Sequence, residues 1–181
     1  MSMLSRLFSH RDPADAVIPL YNAIVAAARE PEWYIDGGVA DTMDGRFEMV
    51  AAILSLVLLR LEDEPGERRT SALLTETFVT DMDGQLRQMG VGDVTVGKHV
   101  GKMMGALGGR LGAYRAALAD ERPHDALAAA LRRNLYGNID VEPSAVDFVV
   151  ARMLAMAARL NELSVDALRE GALGGGINTG T

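Results

Sequence analysis

The side chains in this chain that could do chemistry are few, and their spacing does not favour it. Its three histidines, His10, His99 and His124, stand far apart and form no paired ligand spacing for a metal. The chain has no cysteine, which removes disulfides, thiolate ligands and thiol nucleophiles and fits a reducing compartment. Asp81-Met82-Asp83-Gly84 has the look of the start of a calcium loop, but the required glycine would fall at Leu86. Gly90-Val91-Gly92 with Gly97 follows a helical pattern and not a strand, so it lacks the setting of a phosphate loop. Asp36, Asp41, Asp44 and Glu48 could surround a hard cation, yet acidic groups also belong at a helix start for electrostatic reasons. No serine or threonine sits in a pattern that supplies a base and an orienting group. The expectation is a protein that is not an enzyme and carries no metal and no cofactor.

The segment after Thr95 offers binding rather than reaction. Val96, Val100, Met103, Leu107, Leu111, Tyr114 and Leu118 recur at spacings of three and four and make one apolar stripe. Beside it, Gly101, Gly105, Gly108 and Gly112 make a stripe of bare backbone. Each interior glycine costs about 0.5–1 kcal/mol against alanine, so four on one face require a compensating gain. Small residues at this spacing let a second helix approach closely. That helix could belong to the same domain or to a partner. Met82, Met89, Met103 and Met104 fall on two consecutive helices and suit either an irregular core or an adaptable surface. Lys98, His99 and Lys102, with Arg87, Arg110 and Arg115 nearby, concentrate positive charge on a chain of net charge −7. That overall balance argues against specific nucleic-acid binding.

The elements that must hold these residues are helical. The chain has 181 residues, 49% of them hydrophobic, enough for one domain with a real core. No useful period-two alternation occurs, so the fold class is all-α, a single compact domain of about six to seven helices. Asp12-Pro13 opens the first helix and Pro31 closes it. Glu32 to Met43 reads as a loop, with Thr42 as the cap of a second helix through Leu61. That helix is apolar nearly all round, which places it at the centre of the core. Gly90 ends the next helix, Thr95 caps its successor, Pro123 and Pro143 open two more, and Ser164 caps a short last one. Residues 1–12 are expected as a flexible arm, 13–172 as the helical domain and 173–181 as a disordered tail. Val50 to Leu59 is far shorter than the about 20 apolar residues a membrane span needs, and Met1 to Arg11 lacks signal-peptide features. Leu4, Leu7 and Phe8 with Arg6 could touch a membrane surface.

Three blocks of residues resemble the ubiquinol–cytochrome c chaperone family. The first is Tyr34-Ile35-Asp36 with Asp41-Thr42 and Asp44-Gly45-Arg46-Phe47-Glu48. The second is Phe78-Val79-Thr80-Asp81-Met82-Asp83, then Leu86-Arg87-Gln88-Met89-Gly90-Val91-Gly92-Asp93 and Val96-Gly97-Lys98. The third is Gly109-Arg110 with Ala113-Tyr114, where Leu107-Gly108 replace an aromatic pair of the family pattern. Together the blocks run from about Ala28 to Leu118.

The resemblance implies a non-enzymatic assembly factor that holds newly made cytochrome b, or another bc1 subunit, during assembly of the ubiquinol–cytochrome c reductase. It also implies a small partner subunit, and the bacterial form would work in the cytoplasm, peripherally at the inner membrane. The residues expected to meet a client or partner are Arg46, Met82, Asp83, Arg87, Met89, Lys98, Gly101, Lys102, Gly105, Arg110 and Tyr114. Arg46 and Asp83 each carry charge in an apolar helix, where an unpaired charge is costly, so Arg46 is expected to pair with Asp81 or Asp83. Two other classes stay open on the residues alone. One is a helical small-molecule or lipid-binding module around Asp36, Arg46, Glu48, Asp81 and Asp83. The other is a structural adaptor that dimerises through the glycine stripe.

Overall fold

Prolines and capping side chains set the helix order. A computed structural model describes residues 13–88, 90, 93–137 and 139–173. After a 3-10 turn at Pro13–Val17 come α1 (Ile18–Ala28), α2 (Glu32–Ile35), α3 (Met43–Glu62) and α4 (Arg68–Gln88). They are followed by α5 (Asp93–Leu118), α6 (Pro123–Asn134), α7 (Pro143–Glu162) and α8 (Val165–Arg169). The described residues form one all-α domain, with six long helices and two short ones, α2 and α8. The expected Asp12 cap, the membrane contact through Leu4, Leu7 and Phe8, the arm, Met89, and the tail from residue 174 onward lie outside the described residues.

The expected caps at Thr42 and Ser164 are present. Thr42 is extended, and its hydroxyl accepts from the Gly45 amide at 3.1 Å. Ser164 likewise accepts from the Ala167 amide at 3.2 Å. Each satisfies one of the amides that a helix start leaves without a carbonyl. Gly90 takes φ +80, the left-handed conformation that ends a helix and that only glycine adopts cheaply. α5 starts at Asp93, not at Thr95, which lies inside its first turn.

α3 runs through the centre, packed by α1, α4, α5 and α7. Every residue from Met49 to Leu58 is buried, as a helix that is apolar all round requires. Each fully buried Leu, Ile or Val here contributes roughly 1.5–3 kcal/mol. The one polar residue in that run, Ser55, donates to the Ala51 carbonyl at 2.6 Å and so leaves no unmet group.

The stretch from Glu32 was expected to be irregular, but it opens with the turn of α2. The cause is Trp33, which is fully buried and donates from Nε1 to the Ala27 carbonyl at 2.7 Å. Tyr34 donates to the Ala28 carbonyl at 2.8 Å. The two rings thus donate to carbonyls in the last turn of α1, where the helix runs short of its own amides. Arg152 of α7 stacks over Trp33 at 4.5 Å from the ring centroid and pairs with Glu30, so the same turn is pinned from the other side. Tyr136 then donates to the Gly37 carbonyl at 2.7 Å, which ties the connection between α6 and α7 to the loop before α3.

Candidate partner-binding site

α5 presents two opposed faces. One carries Leu107, Arg110, Tyr114 and Ala117, all buried, with Met103, Leu111 and Leu118 partly buried against the core. The other carries Lys98, Gly101, Lys102, Gly105, Gly109 and Gly112, all exposed. A β-carbon added at Gly101, Gly105, Gly108, Gly109 or Gly112 would meet nothing within 4 Å. The bare-backbone stripe therefore faces outward, and among the described residues no helix of the same domain lies on it. That sets aside the reading in which a helix of the same domain covers the stripe. α3, α4 and α6 take the apolar side.

A cleft of about 580 Å3 opens between the start of α3, the middle of α5 and the connection from α6 to α7. Its charged floor is Arg110, whose side chain is 3% exposed and which pairs with Glu48. The same guanidinium donates from Nη2 to the Asn134 carbonyl at 2.7 Å, while its Nε–H has no acceptor. Burial pushes the Glu48 carboxyl up, against the pull of Arg110 and Lys102. One turn further on, the Tyr114 hydroxyl is buried beside the Arg110 guanidinium. Its burial pushes the phenol up to about 12, with the positive Arg110 opposing the rise.

The residues singled out by sequence separate into distinct groups. Lys98, Gly101, Lys102 and Gly105 share the exposed face of α5. Arg110 lies on the cleft floor. Met82 and Tyr114 are in the core and offer no surface to a partner, because each sits on the buried face of its helix. Arg46 does not reach Asp81 or Asp83. It is exposed at the start of α3 and pairs with Asp41 at 2.7 Å, in the loop just before that helix. Asp83 pairs with Arg87 one turn away at 2.7 Å, and Asp81 accepts from Tyr21 at 2.8 Å and from Gln85 at 3.0 Å. The polar pocket imagined around these five charges does not form, since only Glu48 of the five lines the cleft.

Sequence reasoning missed Ala106, Asn134 and Ile139 as parts of one cavity, because they come together only through packing of α5 on α6. A signal for its floor was present. Glu48 and Arg110 are opposite charges in helices of high apolar content, and the cost of burying either alone requires a partner. Among the described residues, no group of three or more histidines and carboxylates could hold a metal, and no helix is long and apolar enough to cross a membrane.

The family model for the ubiquinol–cytochrome c chaperone matches residues 36–174. The chain belongs to the ubiquinol–cytochrome c chaperone family. The solved crystal structure of the Cbp3 homolog from Brucella abortus is similar throughout, with 36% sequence identity, a TM-score of 0.77 and 94% of each chain covered. Among curated proteins, none matches the chain significantly. The three chaperone-family blocks have separate structural duties. The first and third meet at the ion pair of Glu48 and Arg110 on the cleft floor. The second supplies core residues Phe78, Met82 and Leu86, then the turn at Gly90 and the first turns of α5.

Proposed function

We propose that this chain is a non-enzymatic assembly chaperone of the ubiquinol–cytochrome c reductase, holding newly made cytochrome b or another subunit of the bc1 complex until assembly proceeds. Membership of the chaperone family over residues 36–174 carries the reading. The outward face of α5 supports it physically. Its glycines leave backbone open to a second helix, which can approach closely where no β-carbon intervenes. Lys98 and Lys102 at the start of that face suit acidic groups of a partner or of a membrane surface. In this reading the protein works in the cytoplasm, acts peripherally at the inner membrane, and is assisted there by a small partner subunit, as the family resemblance implies.

Deletion of the gene tests the proposal. Assembled bc1 complex is measured by native electrophoresis, and cytochrome b by its haem absorbance in membranes. Loss of both, restored by the wild-type gene, is the expected result. Unchanged bc1 complex and cytochrome b would overturn it.

A further inference from the structure

We draw no further inference here: the strongest candidate, the cleft between the start of α3, the middle of α5 and the connection from α6 to α7, has a charge-balanced lining in which Asp44 and Glu48 stand against Arg110 and Arg133, and nothing in the structure shows what occupies it.

Discussion

Glu48 and Arg110, 62 positions apart, form an ion pair that joins the start of α3 to the middle of α5. Its two ends are unequal. The arginine side chain is 3% exposed, whereas the glutamate is 39% exposed. The pair is therefore an anchored cation beneath a carboxylate that still reaches water, and the two residues respond differently to the loss of their partner.

Glu48→Leu leaves a guanidinium buried without its counter-charge. That should cost about 3–5 kcal/mol in urea unfolding. Arg110→Leu leaves a carboxylate that can turn toward solvent or take up a proton, and should cost about 1–3 kcal/mol. The double variant should cost clearly less than the sum, because the two side chains share one interaction. A Glu48→Leu variant as stable as Arg110→Leu would show that the arginine is not held as described.

Much of this architecture was legible in the residues. The helix starts at Thr42, Pro123, Pro143 and Ser164 each rest on local chemistry, and α3 was readable as the core because no face of it is polar. The glycine stripe was readable as a stripe but not as a surface. A bare helix face looks the same in sequence whether another helix covers it or water does. Arg46 shows the complementary failure. The rule that a charge in an apolar helix needs a partner was applied to a residue that the helix start leaves exposed, where Asp41 suffices. The same rule fits Arg110, whose partner lies two helices away, and that distance depends on packing that no local pattern records. α2 was hidden for a related reason, since its turn is held by Trp33 docking on the end of α1 rather than by its own propensity.

The loop before α3 depends on the absence of a side chain at Gly45. A β-carbon there would lie 1.9 Å from the Ala40 carbonyl oxygen, which is backbone and cannot swing aside. Gly45→Ala should therefore destabilise the domain by about 1–3 kcal/mol or more. Gly84 in α4 is the control, because an added β-carbon meets nothing within 4 Å there. Gly84→Ala should stabilise by about 0.5–1 kcal/mol. Thermal melting of the two variants under one buffer compares them, and equal shifts would contradict the close approach at Ala40.

Three buried phenols make the fold sensitive to alkali. Burial raises Tyr114 from the ordinary 10.0 to about 12, and it raises Tyr21 and Tyr136 as well. Tyr21 is pushed further by its bond to Asp81. A value raised in the folded state means that the unfolded chain releases its proton first. The stability from these groups is thus complete below pH 10.0 and is lost as pH climbs through the folded values. Each phenol should contribute a loss of about 1.4 kcal/mol per pH unit in that window. Helix signal and tyrosinate absorbance should change together above pH 10, and Tyr114→Phe should make the decline shallower. Ionisation of these tyrosines well before any loss of helix would contradict their burial.

The glycine face offers the sharpest separation between folding and partner binding. Gly105 is exposed, lies in the interior of α5, and has open space where a β-carbon would project. Gly105→Ala should accordingly raise stability by about 0.5–1 kcal/mol, since it removes chain entropy and meets no obstacle. Gly105→Leu should also fold, because its side chain projects into solvent rather than into α3 or α4. If a partner helix rests on this backbone, however, the leucine holds it away, and a gene carrying Gly105→Leu should restore less bc1 complex to a deletion strain than one carrying the wild type. Protein abundance measured alongside distinguishes this from simple instability. A Gly105→Leu variant that fails to fold would mean that the stripe is covered from within. One that is stable and restores the complex fully would remove this face from the site and leave the cleft at Glu48 and Arg110 as the place to look.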